Sequence, residues 1–234
     1  EFVEDTFLEL DIYSHPRVVK GSKGNYEGIG IIIATGWPKN NSKKIIGEKE
    51  FTGNGVSYCA TCDGFFTKGR ITSVFGNGHE AVEEALFLTK HAKEINVFCD
   101  KDDLEVEAEL KEQLLSNENV KLFTNAKLLE VLGSQYVEKV KVDIAGEIKE
   151  MESDFAFLYL GTKSNNELYQ GFAKLNDEGY IITDENMACE VEGIWAAGDI
   201  RERTVRQVTT AVADGTLAGI EAIKYVMKKK REAK

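Results

Sequence analysis

The chain has 234 residues, enough for one large domain or two small ones. Its 42% hydrophobic and 29% charged content is that of an ordinary globular protein. The net charge of −11 argues against nucleic-acid binding, which needs clustered Lys and Arg. No stretch approaches the ~20 apolar residues of a membrane span, so neither nucleic acid nor membrane is an expected partner.

The N-terminus, Glu1-Phe2-Val3-Glu4-Asp5, is acidic and lacks the basic start and apolar core of a signal peptide. It opens on Glu rather than Met, so a preceding segment is expected. Phe7, Leu8, Leu10, Ile12, Val18 and Val19 alternate in strand fashion between polar turns, and Ser22 to Asn25 reads as a hairpin turn. Ile31-Ile32-Ile33-Ala34-Thr35-Gly36 is a β-branched run ending at glycine, as a buried strand does where it delivers the chain to a ligand.

Cys59-Ala60-Thr61-Cys62-Asp63-Gly64 follows on a turn. Next come a strand from Ile71 to Phe75, a turn from Gly76 to Gly78, a helix from Glu80 to about His91 and a strand from Ile95 to Phe98, a βαβ unit. A further acidic helix is expected over Leu104 to Leu115. Strands are expected over Leu122–Thr124, Leu128–Leu132, Val137–Ile144 and Phe155–Leu160. The last third offers a strand at Tyr180–Thr183, another running into Trp195-Ala196-Ala197-Gly198-Asp199, and a long helix from about Arg206 to Lys229. Its basic end, Lys228 to Arg231, reads as a solvated helix terminus where cations are favoured. The pattern is that of two α/β pieces, with a nucleotide-binding domain inserted between segments of another.

Two thiols spaced as in Cys59 and Cys62 can close an intramolecular disulfide, and one can be held as thiolate. Asp63, directly after, can exchange a proton with the leaving thiolate. Half a zinc site is the structural alternative, but zinc takes four ligands, and Cys99 and Cys189 stand isolated with no histidine beside them. No metal site is expected. A CxxC without a secretory signal points to a functional dithiol in a reducing cytoplasm.

Gly76-Asn77-Gly78-His79-Glu80-Ala81 is a GxGxxA turn between strand and helix, where a pyrophosphate can approach backbone amides at a helix N-terminus. The structural alternative is a tight turn whose glycines serve packing. A nicotinamide delivers a hydride, whereas dithiol exchange is a two-electron couple, so a chain holding both motifs wants a flavin between them. Residues able to touch FAD are Ala34, Thr35 and Gly36, with Gly198 and Asp199; either strand end could equally be structural.

The stretches GVSYCATCDGFF, GNGHEAVEEALFLTK and GIWAAGDIRERTVRQVTTAVADG, in that order, resemble the bacterial-type, low-molecular-weight thioredoxin reductases. The resemblance runs from about Ile29 onward. It implies an α/β fold of FAD- and NAD(P)-binding Rossmann-like domains, with the nucleotide-binding domain inserted in an FAD-binding domain that lacks its N-terminal part, since the family's opening GxGxxG has no counterpart here. The implied division is residues 1–40 as part of the FAD-binding domain, 41–163 as the pyridine-nucleotide-binding domain carrying the CxxC, and 164–234 as the rest of the FAD-binding domain.

By that resemblance Cys59 attacks the disulfide of thioredoxin or a thioredoxin-like protein, Cys62 lies against the flavin, and Asp63 is acid and base. Asp199 binds the ribityl chain, while Arg206, Gln207 and the helix start at Val208 sit near the isoalloxazine. A homodimer is also implied. Where the family carries a His-Arg-Arg stretch for the 2′-phosphate of NADPH, this chain reads Cys99-Asp100-Lys101-Asp102-Asp103. Asp100 ends the second strand of the βαβ unit, 24 positions after Gly76, and an acid there binds the ribose 2′-hydroxyl of NAD. NADH is therefore expected over NADPH, unless the acidic run is merely the solvated start of a helix. Other readings are a ferredoxin-dependent flavin reductase, and a catalytically silent binding module.

Overall fold

The computed structural model describes residues 1–37, 45–161 and 168–233. The chain divides into two compact units, one of Glu1–Lys39 with Thr162–Lys234 and one of Asn40–Gly161, so the second is inserted into the first. The first unit opens with an antiparallel sheet of β1 (Phe7–Asp11), β2 (Arg17–Gly21) and β3 (Asn25–Gly28), and Gly21 N–H donates to Gly24 O to close the hairpin. Strand β4 (Ile31–Ile33) follows.

The inserted unit runs α1 (Glu48–Phe51), β5 (Val56–Ser57), α2 (Ala60–Asp63), β6 (Ile71–Phe75), α3 (His79–Leu88), β7 (Glu94–Phe98), α4 (Ala108–Leu115) and β8 (Val120–Phe123). It continues as β9 (Ala126–Gly133), β10 (Val137–Ile144), β11 (Glu147–Glu152) and β12 (Phe155–Leu158). Five strands form a parallel sheet in the order β5-β12-β6-β7-β8, and β9, β10 and β11 make an antiparallel meander. Side chains alternate across a strand, so both faces of this sheet are apolar. Val74, Ile95, Val97 and Phe157 pack toward Ala81, Val82, Ala85 and Leu88 of α3. Phe75, Phe98, Ala156 and Leu158 pack on the other face with Val131 and Val140 of the meander. There Phe75, Phe98 and Phe123 stack at centroid distances of 4.7 and 5.0 Å. Burying each such side chain stabilises the fold by roughly 1.5–3 kcal/mol.

The first unit resumes with β13 (Ile194–Ala196), parallel to β4, and the long helix α5 (Val208–Glu232). Its core gathers Leu10, Ile33, Ile181, Ile194 and Ile200.

Several expected elements differ in their bounds. The helix expected from Leu104 starts at Ala108, because Asp103 Oδ1 accepts Leu104 N–H and Glu105 N–H bonds back to Asn77 O, tying the acidic run to the glycine turn. The strand expected at Tyr180–Thr183 is reduced to isolated bridges at Ile181, since the Asn176 side chain accepts the Glu178 and Tyr180 amides and holds the chain in a turn. The helix from Glu80 begins at His79 and ends at Leu88. Helix α5 begins at Val208 because Gln207 caps it, the Gln207 N–H donating to Thr210 Oγ1 at 3.0 Å.

Candidate active site

Cys59 ends the extended segment after β5 and is the N-cap of α2, its sulfur accepting the Cys62 N–H at 3.2 Å. Cys59 and Cys62 are joined in a disulfide with Cα atoms 5.3 Å apart. Cys59 is half-buried, whereas Cys62 and Thr61 are exposed. The short helix rests on α3 through Gly64, where a Cβ would come within 3.0 Å of the Phe87 ring. A glycine after the CxxCD run therefore brings the redox turn close to α3.

Asp63 is half-buried and lines a cleft of about 590 Å³ with Asn54, Phe66, Arg70 and Tyr136. Its Oδ2 accepts the Ser57 hydroxyl at 2.6 Å, and Ser57 Oγ accepts the Cys59 N–H at 3.2 Å. The carboxylate is thus fixed beside the disulfide. Phe65 and Phe66 follow directly and are 71% and 66% exposed. Two adjacent, largely bare aromatics form a sticky surface. Sequence reasoning passed over them, although their position next to the CxxC was the available signal.

A second cleft in the same unit, about 520 Å³, is lined by Gly76, Asn77, Gly78, Asp100, Lys101 and Glu105, among others. Gly76 is required by close approach, since a Cβ there would lie 2.6 Å from Tyr159 O. At Gly78 a Cβ would meet nothing within 4 Å, leaving open space at the start of α3. His79 and Glu80 are exposed on the first turn, His79 Nε2 lying 2.9 Å from Glu107, and Ala81 is buried beneath. Asp100 is exposed and locked to the turn: Asn77 Nδ2 donates to Asp100 Oδ1 at 2.5 Å, and Asp100 N–H donates to Asn77 Oδ1 at 3.0 Å. Lys101, the nearest cation along the chain, pairs with Glu105 at 2.5 Å.

The first unit holds the remaining expected residues. Parallel pairing of β4 with β13 sets Ala34, Thr35 and Gly36 beside Ala197, Gly198 and Asp199, with Ala197 N–H donating to Ile33 O. Thr35 Oγ1 lies 2.8 Å from Tyr169 Oη. Asp214 of α5, 5% exposed, braces this corner by accepting Gly198 N–H at 3.1 Å, Arg201 at 2.8 Å and Arg203 at 2.9 Å. Arg206 lies 4.0 Å over the Tyr180 ring, which stacks on Trp37 at 3.7 Å. Gln207 and Val208 follow at the helix start. Oδ1 of Asp199 and Nε of Arg206 are buried without a hydrogen-bond partner among the described residues. Buried polar atoms are nearly always satisfied, so two orphans here fit a bound polar group such as a flavin's ribityl and ring edge.

Cys99 and Cys189 are buried free thiols. Burial raises the Cys99 thiol above its ordinary range and pushes Cys189 up to about 12. Thiolate is the reactive form, so both are inert at neutral pH. After mild reduction, iodoacetamide at pH 7.5 should label Cys59 and Cys62 in the native state and the other two only after unfolding; Cys99→Ala and Cys189→Ala should keep activity. Fast native labelling at either buried site would contradict this.

Among the described residues no helix is long and apolar enough to cross a membrane. Comparison with known proteins gives the family. The family profile described as "Pyridine nucleotide-disulphide oxidoreductase" matches residues 7–215. The thioredoxin reductase of Peptoclostridium litorale is 39% identical over 237 residues, covering 97% of this chain and 74% of that protein. The thioredoxin reductase of Bacillus subtilis (strain 168) is 37% identical over 217 residues, covering 90% and 67%. Among solved structures, thioredoxin reductase from Streptococcus pyogenes MGAS5005 superposes with a TM-score of 0.87 at 31% identity, covering 96% of this chain and 74% of the other. The chain belongs to the pyridine nucleotide-disulphide oxidoreductases, and within them to the thioredoxin reductases.

Proposed function

We propose that this chain reduces the disulfide of thioredoxin or a thioredoxin-like protein through Cys59 and Cys62, using FAD and a reduced nicotinamide, NADH in preference to NADPH. The observation that carries the reading is an accessible disulfide on a helix N-terminus, with a fixed carboxylate beside it and two bare phenylalanines next in sequence. A small-molecule disulfide needs no such apolar apron, whereas a protein surface does.

In this reading residues 41–163 bind the nucleotide, and residues 1–40 and 164–234 belong to the flavin domain. FAD, when bound, supplies the two-electron relay between a nicotinamide hydride and a dithiol. Asp199, Arg206, Gln207 and the start of α5 hold the flavin, together with the strand end Ala34–Gly36. The open space at Gly78 and the amides at the start of α3 take the pyrophosphate. Cys59 attacks the substrate disulfide as thiolate. Cys62 closes the ring again and releases substrate as dithiol, and Asp63, oriented by Ser57, carries the proton to and from sulfur. A homodimer in a reducing cytoplasm completes the proposal, supported by the cysteine usage and the family resemblance.

The nucleotide preference rests on Asp100. A 2′-phosphate would bring roughly two negative charges to a cleft edge where Asp100 and Glu105 stand with Lys101 already paired, Lys127 being the cleft's other lining cation. Each like-charge pair at ~4 Å costs about 1 kcal/mol in water and about 4 at an effective dielectric of 20. More than tenfold discrimination follows, since ~1.4 kcal/mol is a factor of ten. Anaerobic titration of the flavin-loaded protein with NADH, NADPH and reduced ferredoxin, read by flavin absorbance, tests donor and cofactor together. Equal or better use of NADPH would refute the preference, and reduction by ferredoxin alone would identify a different donor.

A further inference from the structure

We propose that Glu84 is a positioning residue that sets the redox poise of the Cys59–Cys62 pair by holding the first turn of α2 with an unneutralised negative charge. The inference rests on the reading of these cysteines as the exchanging pair.

Ala60, the residue between Cys59 and the rest of α2, is fully buried, so its N–H needs a partner within the protein. It has two: Glu84 Oε2 at 2.6 Å and Tyr159 Oη at 3.1 Å. Tyr159 Oη in turn donates to Glu84 Oε2 at 3.2 Å, closing a triangle of three groups. Burial, and then the charge of Glu84, raise the Tyr159 hydroxyl far above its ordinary range, so it remains a donor. Among the described residues no Lys, Arg or His forms an ion pair with Glu84. The carboxylate therefore sits on the amide that follows Cys59, with no ion-pair partner among the described residues.

Reduction of the disulfide takes up two electrons, breaks the S–S bond and leaves either two thiols with two added protons or one thiol and one thiolate with a single added proton. A carboxylate at this point disfavours the thiolate by Coulomb repulsion and leaves the neutral disulfide untouched. The disulfide is favoured and the dithiol becomes the stronger electron donor, which suits a pair whose task is to reduce another protein's disulfide. Glu84 lies on α3, whose N-cap Gly78 lines the second cleft, and Tyr159 lines that cleft as well. The framework that receives the nucleotide thus also holds the redox turn.

The test equilibrates the whole protein with graded ratios of reduced to oxidised glutathione at about pH 8.5, the ordinary cysteine pKa, and reads the dithiol fraction of the Cys59/Cys62 peptide by alkylation and mass. Glu84→Gln keeps an acceptor oxygen but removes the charge. It should shift the equilibrium about tenfold toward dithiol, which is ~30 mV for a two-electron couple. Glu84→Asp, which restores the charge, should stay within threefold of wild type, as should Glu83→Gln at the exposed neighbouring carboxylate. An unshifted Glu84→Gln midpoint, or an equal shift in either comparison variant, would overturn the inference. A wild-type disulfide that does not equilibrate at all would instead overturn the assignment of the exchanging pair.

Discussion

Cys59→Ser should lower thioredoxin-linked turnover by about 10³-fold or more, to assay background, while leaving the flavin reducible by nucleotide, because removing a covalent nucleophile removes the step itself. Cys62→Ser should give the same loss for a different reason: flavin and dithiol are uncoupled, and no Cys59 thiolate is generated by turnover. Both serines fit the same space on α2, so circular dichroism and melting should match the wild-type protein. Asp63→Asn should slow turnover by ~10²–10⁴-fold, the usual contribution of general acid–base assistance. The amide retains an oxygen for the Ser57 hydroxyl, so the fold is kept while the proton carrier is lost. Stopped-flow flavin absorbance together with thioredoxin turnover separates the three variants. Sustained thioredoxin reduction by either serine variant would remove the pair from the mechanism, and an unchanged rate in Asp63→Asn would remove the carboxylate.

The second large effect is expected at Asp214, far from any sulfur in sequence. One carboxylate oxygen there accepts Gly198 N–H and pairs with both Arg201 and Arg203, whose side chains are 13% and 16% exposed. Removing one partner of a buried ion pair typically costs about 3–5 kcal/mol, because the remaining charges are left uncompensated. For a chain of this size that corresponds to a fall of about 6–20 °C in melting temperature. Asp214→Ala should therefore melt early and lose flavin on gel filtration, since the strand end at Gly198 and Asp199 loses its brace. Asp214→Asn should fall between, keeping an acceptor for Gly198 N–H. A variant with wild-type melting and full flavin content would show that the corner is held by other contacts.

The parallel sheet was legible because β6 and β7 are β-branched and apolar runs bounded by glycine and charge, which few other structures accommodate. The CxxC and GxGxxA turns were legible because spacing alone limits what such residues can do. Strand β11 escaped, since Glu-Ile-Lys-Glu-Met-Glu is polar and almost wholly exposed, and its pairing with β10 is a tertiary matter. The start of α4 was misjudged because backbone and side-chain bonds to Asn77 and Asp103 override the helix-forming character of the acidic run. Asp214 and Glu84 were invisible as functional groups. Each is an acid on an otherwise ordinary amphipathic helix, and only the packing of that helix reveals what its carboxylate meets. Phe65 and Phe66 went unremarked in the sequence, because only the fold shows that these two aromatics are exposed.

The sulfur of Cys59 is at once half of a disulfide and the cap of α2. A thiolate is a far better hydrogen-bond acceptor than a disulfide sulfur, as ionised acceptors bind roughly twice as strongly as neutral ones. Electrons arriving at this pair are thereby also delivered to a helix terminus, and the Cys62 amide registers them. Its deuterium uptake should slow in the reduced protein and quicken on oxidation. The backbone around the active site would then report oxidation state by its rate of solvent exchange.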